Sequence, residues 1–141
     1  MAEPKKLLAG EQIGASRGAR YFHDAGFRDR NVIVMLAIAD AESDRFERAE
    51  HQNDDGTIDR GWVQINSQFV DTGLITVEDC FDAAASARFA YSLFQRRDRS
   101  FTAWAAYTSG RWEEERHLLT ATRGLANMFR DEFSLPRLKE P

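Results

Sequence analysis

A single cysteine, Cys80, is all the chain holds, so no internal disulfide can brace the fold. Zinc sites built on cysteine pairs are excluded with it, and His23, His51 and His117 fall at no metal-ligand spacing. No metal and no cofactor are expected on this pattern, and Cys80 reads as a small buried hydrophobe. Long apolar runs are missing too. None approaches the roughly 20 residues that cross a bilayer, so no membrane insertion is expected. Leu7-Leu8-Ala9, behind Lys5 and Lys6, is too short for the apolar part of a secretory signal. Positive charge is in deficit, with a net charge of −4. That disfavours a nucleic-acid partner, which needs a basic patch against phosphates.

What the chain does have is the composition of an ordinary soluble protein. Its 141 residues, 43% hydrophobic and 30% charged, fit one domain with a core of useful size. Residues 1–141 are expected to form a single domain, with 1–10 a loose leader and 134–141 a loose tail. No repeat, low-complexity tract or linker divides it.

The stretch from Val32 to Asn66 organises the rest. Val32-Ile33-Val34-Met35-Leu36-Ala37-Ile38-Ala39 is apolar on every side at helical length, which places it inside a core. Asp29 stands where an N-cap belongs. The run ends in Asp40, Glu42, Ser43 and Asp44, so its last turn delivers Glu42 from a well-anchored helix. Asp55-Gly56 then marks a hairpin over about 51–60, which carries Asp59, 17 positions after Glu42. A carboxylate ending a buried helix and a second on an adjacent hairpin suit the cleavage of a glycosidic bond. Gly61 opens Trp62-Val63-Gln64-Ile65-Asn66, whose alternation predicts Trp62, Gln64 and Asn66 on one side and Val63 and Ile65 in the core.

Around this stretch the pattern predicts a helix over 11–25, weakened by Gly14 and Gly18 and stopped by Gly26. Asp82 caps a buried helix reaching about residue 97, after a turn near Gly73. A short helix follows over 101–107, and a last one over 112–133 ahead of Pro136. The segment 53–59 has the flavour of a calcium loop. With Gly56 at loop position six, however, His51 falls at position one and Trp62 at twelve, so both anchoring ligands are missing.

Several ordered residues carry a family resemblance. Glu42-Ser43, Ala49, Asn53, Asp55-Gly56, Asp59, Gly61 and Gln64-Ile65-Asn66-Ser67 resemble the core of the c-type lysozymes, with the same spacing from Glu to Asp. Glu42-Ser43 and Gly61-x-x-Gln64-Ile65 are also similar to the soluble lytic transglycosylases. Lysozyme-like domains of tailed phages infecting actinobacteria resemble the chain over roughly 18–115. They share Ala25-Gly26-Phe27, Ala41-Glu42-Ser43, Asp59 through Asn66, Cys80-Phe81-Asp82 and Trp104 through Gly110.

The resemblance implies a mainly helical α+β fold, lysozyme-like, with a small β-hairpin beside a substrate groove. It implies cleavage of the glycan strand of bacterial peptidoglycan, after N-acetylmuramic acid, by a phage lysin or a virion-associated wall-opening domain. Phage tail proteins are further expected partners in the virion setting. The expected itinerary is synthesis in the host cytoplasm without a signal peptide, then action on the wall after release or as part of a virion. A lytic transglycosylase and an inactive glycan- or protein-binding module are the alternatives. The acidic balance adds that attraction to an anionic wall is not a property of the whole surface.

On this reading Glu42 is the general acid. Protonating a glycosidic oxygen at neutral pH calls for a carboxyl group whose pKa is raised, and apolar surroundings favour its neutral form. That tuning is known from lysozymes and is carried here by the resemblance. Asp59 is the second catalytic carboxylate; as a hairpin residue it is equally suited to bonding nearby amides or pairing with Arg60. Asn53, Gln64 and Asn66 are candidate substrate-orienting amides, since amides both donate to and accept from N-acetyl sugars. Gln64 and Asn66 also suit bonds to the hairpin backbone. Tyr107 is a candidate substrate residue because Tyr107-Thr108-Ser109-Gly110 is similar to the Tyr-Asn-x-Gly of lytic transglycosylases, with Thr108 departing from it. Trp62, Trp104 and Tyr107 all have rings able to stack on sugar faces, but aromatics at these spacings are more often core, and Trp104 is expected there.

Overall fold

The computed structural model describes residues 6–114, and the helix expected over 112–133 and the tail over 134–141 lie outside it beyond residue 114. The fold is α+β and mainly helical, as expected. At its centre runs α2 (Arg30–Ser43), which buries Val32, Met35, Leu36, Ala37, Ile38 and Ala39 together with Glu42 and Ser43. A helix this uniformly apolar is stable only when enclosed, and α1 (Ala15–Ala25) lies against it. Gly18 makes that approach close. A Cβ there would stand 2.9 Å from Leu36 Cδ1 and 3.2 Å from the Trp62 ring, so the glycine expected to weaken α1 is a packing contact.

The starts of α1 and α2 correct the sequence reading. Asp29 occupies the N-cap position of α2 but makes no capping bond, because its φ of 55° departs from the extended conformation that turns a capping side chain onto the first amides. Helix α1 begins at Ala15 rather than at 11. Residues 9–13 instead run beside the loop that leaves α2: Ile13 N–H donates to Arg45 O at 2.8 Å, Glu47 N–H to Glu11 O at 3.0 Å and Arg48 N–H to Ala9 O at 3.0 Å. Those loop amides and carbonyls need partners, and the chain before α1 supplies them.

Four short strands form one antiparallel sheet in the order β1 (Lys6–Leu7), β2 (Glu50–Gln52), β3 (Ile58–Arg60) and β4 (Ile65–Asn66). Strand β1 falls in the segment expected as a loose leader. It pairs Lys6 with His51 and Leu7 with Glu50. The hairpin between β2 and β3 is turned by Asp55-Gly56, as expected. Asp55 Oδ1 accepts from the Thr57 amide at 2.9 Å, and Asn53 N–H donates to Thr57 O at 2.9 Å.

The alternation read for 62–66 does not hold. Residues 61–64 are a turn, and Trp62 and Val63 are both fully buried. Gly61 sets this up: its φ is 83°, and a Cβ would fall 1.9 Å from the Cys80 carbonyl oxygen, so the backbone passes where no side chain fits. Trp62 is therefore a core ring. It stacks on Phe22 with centroids 4.4 Å apart, and its Nε1–H donates to Ser86 Oγ at 2.9 Å.

Two short helices not anticipated, α3 (Ser67–Asp71) and α4 (Val77–Cys80), are capped by Asn66 and Thr76. Helix α5 (Ala83–Arg96) follows the predicted Asp82 cap, whose Oδ2 accepts from Ala85 N–H at 2.8 Å. Helix α6 (Ala105–Thr108) is shorter than the segment predicted over 101–107, and a 3-10 turn (Arg111–Glu114) succeeds it.

Candidate active site

The last turn of α2, the hairpin and the start of α6 enclose a cleft of about 510 Å³. Glu42, Asn53, Asp59, Gln64 and Asn66 all line it. Five of the six candidate residues thus share one space, with Trp104 forming part of its wall. Trp104 is nearly fully buried, and its Nε1–H donates to Val63 O at 2.8 Å, in keeping with a core ring. Tyr107 does not line the cleft. Its ring packs between Phe101, at 5.5 Å, and Trp112, at 5.6 Å.

Glu42 is 8% exposed, because it belongs to a helix buried almost to its end. A carboxylate so enclosed must be bonded. Oε1 accepts from Ala106 N–H at 2.8 Å and lies 3.4 Å from Arg111 Nη2. Both donors converge on the same oxygen, so among the described residues Oε2 has no protein partner. The Lys6 ammonium bonds the Glu42 main-chain carbonyl, fixing the backbone that carries the carboxylate. Next to it, Ser43 Oγ reaches Trp62 O at 2.6 Å and ties the helix end to the turn after β3.

Asp59 sits on β3 with His51 opposite it on β2 and Asn66 opposite it on β4. Both neighbours engage it. Asn66 Nδ2 donates to Asp59 Oδ1 at 3.0 Å, and His51 Nδ1 stands 3.9 Å from Oδ2. The network continues through Thr57, whose Oγ1 accepts from Asn66 Nδ2 at 3.1 Å and from Asn53 Nδ2 at 3.0 Å. Thr57 Oγ1 then donates to Asp55 Oδ1 at 2.6 Å. Asn66 Oδ1 accepts from Gln68 N–H and so caps α3. Asn53 and Asn66 thus hold the hairpin together while facing the cleft.

Gln64 is buried, in a left-handed conformation with φ 55°, and its Nε2 donates to Gly61 O at 2.8 Å. This is the hairpin-backbone role open to it from sequence. Backbone strain at a cleft-lining residue is typical of functional sites.

Thr57, His51, Ala106 and Arg111 belong to this geometry and were not anticipated. Thr57 carried a signal in its place directly after Asp55-Gly56. Ala106 acts through its main chain and Arg111 through tertiary approach, so neither had one. Among the described residues, no group of three or more His, Cys, Asp or Glu is arranged to hold a metal ion. No described helix is long and apolar enough to cross a membrane.

Two carboxylates thus line one cleft, Glu42 buried with an open oxygen and Asp59 half-buried and bonded to the Asn66 amide. Comparison with known families places the chain. The model of a family described as the lysozyme-like domain matches residues 19–106, more than half of the chain. No curated protein and no solved structure matches. The matched span takes in Glu42, Asn53, Asp59, Gln64 and Asn66 and closes on Ala106, the residue whose amide holds the Glu42 carboxylate. The chain belongs to the lysozyme-like domain family.

Proposed function

We propose that this protein is a lysozyme-type glycoside hydrolase that cuts peptidoglycan between N-acetylmuramic acid and N-acetylglucosamine. Family membership supplies the coarser part, peptidoglycan as substrate and glycosidase- or transglycosylase-type chemistry. The observation that carries the finer part is Glu42, buried at the end of α2, lining the same cleft as Asp59 with Oε2 open.

In this reading protonated Glu42 gives its proton to the glycosidic oxygen as the bond from that oxygen to the anomeric carbon breaks. The bonding electrons leave with the departing sugar hydroxyl. Ionised Asp59 meets the positive charge that develops at the anomeric carbon, by attack or by electrostatic stabilisation. Water then adds its hydroxyl to that carbon and returns a proton to Glu42, leaving a reducing end. Asn53 and Gln64 orient the N-acetyl groups, Asn66 holds Asp59 in place beside them, and Tyr107, on α6 between Phe101 and Trp112, supports the site from outside the cleft. We place the protein in a phage lysin or virion-associated role, on the resemblance in Ala25-Gly26-Phe27 and Asp59 through Asn66. It would be made in the host cytoplasm and meet the wall after release or as part of a virion, where tail proteins would be its partners.

The test is Glu42→Gln in a turbidity assay on purified walls from several bacterial groups. Glutamine keeps an oxygen for the Ala106 amide and loses only the transferable proton. Lysis is expected to vanish while thermal stability holds or rises. Lysis at the wild-type rate would remove Glu42 from the mechanism, and a wild type that binds walls without cutting them would make this a binding module.

One observation favours a second reading, a lytic transglycosylase. Asp59 Oδ1 is already taken by Asn66. A transglycosylase needs one carboxyl group, since the substrate's own hydroxyl closes an anhydro ring.

A further inference from the structure

Arg111 follows Gly110 at the head of the 3-10 turn. Its Nε donates to Ser109 Oγ at 3.2 Å, and its Nη2 stands 3.4 Å from Glu42 Oε1. One end of this pair is enclosed and the other open: the Glu42 side chain is 11% exposed and that of Arg111 is 48%. The Ala106 amide sits on the same carboxylate oxygen. A guanidinium anchored through Nε and an amide thus converge on Oε1, and neither bonds Oε2.

We propose that Arg111 is a positioning residue that, with the Ala106 amide, pins Oε1 of Glu42 and so holds Oε2 as the oxygen that gives its proton. This rests on the reading of Glu42 as the general acid, and it holds for hydrolysis and transglycosylation alike.

The other charges about Glu42 are few. Lys6, on β1, bonds its carbonyl rather than its carboxylate. Asp54, Asp55 and Asp59 line the far wall of the cleft, with His51 behind Asp59. On α2 itself Asp40 pairs with Arg45, and Asp44 follows as the exposed C-cap. From α1, Arg17 is taken by Glu11 and Tyr21, and α6 brings no charge. Glu113 lies on the same 3-10 turn as Arg111. Arg111 is therefore the cation in contact with the Glu42 carboxylate among the described residues.

Without that anchor the carboxylate is free to rotate and presents Oε2 to the glycosidic oxygen less often. In Arg111→Gln, which retains a donor for Ser109 and no longer reaches Oε1, kcat is expected to fall about threefold or more with KM little changed. Arg111→Lys is expected to recover most of that loss. A second readout does not need turnover: in crystals grown under matched conditions, Glu42 is expected to hold one side-chain conformation in wild type and to populate a second in Arg111→Gln. Equal kcat in wild type and Arg111→Gln, or a Glu42 side chain unmoved in the variant, overturns the proposal. If wild type cuts no glycan, the function reading falls, and the conformation of Glu42 in the two proteins still decides the role of Arg111.

Discussion

Ser43 Oγ lies 2.6 Å from the carbonyl oxygen of Trp62 and 3.0 Å from that of Ala39, and it accepts from Arg45 N–H at 3.1 Å. One hydroxyl, 1% exposed, therefore joins the end of α2 to the turn that precedes β4. Glu42 ends that helix and Asp59 lies on β3 directly ahead of that turn, so this bond helps set their separation. Ser43→Ala leaves the buried Trp62 carbonyl without its donor. Denaturant unfolding is expected to show a loss of about 1–3 kcal/mol, with turnover falling more steeply than stability at temperatures where the variant is folded. An unchanged unfolding midpoint would show that the bond carries no weight.

Asp59 decides between the two enzymatic readings. Asp59→Asn is expected to slow cleavage at least tenfold, about 1.4 kcal/mol of barrier, and wild-type products are expected to carry reducing ends. Mass spectrometry of digested glycan separates the cases, because an anhydro product is lighter by one water. Anhydro ends released equally well by wild type and Asp59→Asn would install the transglycosylase reading.

Gly61 and Cys80 form one contact and respond oppositely to change. Gly61→Ala adds a methyl group against the Cys80 carbonyl at a positive φ. Neither side can yield without moving backbone, so a loss on the order of 3 kcal/mol or more is expected in thermal or urea unfolding. Cys80 is fully buried and its thiol is pushed up to about 11, by burial first. Little thiolate forms at pH 8, so a thiol reagent is expected to label it only after unfolding. Cys80→Ala should leave turnover unchanged, and loss of turnover in a folded variant would give the thiol a role.

His23 supplies the pH dependence of stability. Burial, and then the positive charge of Arg28, push its imidazole below the ordinary value of 6.5. The folded state therefore binds this proton less readily than the unfolded chain does. Stability rises wherever the unfolded state binds more protons. Its contribution is thus complete above about pH 6.5 and is lost as pH falls toward the lowered native value. Unfolding free energies measured from pH 7.5 downward should decline in this window, and more steeply in wild type than in His23→Gln. Parallel curves would assign the decline to other groups.

The sequence showed those features whose causes are local. An apolar run bounded by acids fixes α2 and places Glu42, and Asp55-Gly56 fixes the hairpin and places Asp59. Asp82 caps α5 where it should. The rest depends on approach in space. Trp62 reads as one face of an alternating strand, but the Gly61 turn against Cys80 sends Trp62 and Val63 into the core together. Asp29 sits at a capping position with a backbone that cannot cap. Asn66 has the chemistry of a sugar ligand and spends its side chain on Asp59, Thr57 and Gln68. Arg111 and the Ala106 amide meet Glu42 only because α6 returns to the end of α2.

That return has a consequence for how the molecule comes into being. The Ala106 amide that grips Glu42 lies 64 positions downstream of it. Chains emerge from the ribosome N-terminus first, so both carboxylates leave it well before their clamp. A nascent domain holds the acidic residues without the geometry that makes them a pair in a finished cleft. Any translation product that stops short of residue 106 has the motif without the catalyst. The working cleft waits on α6.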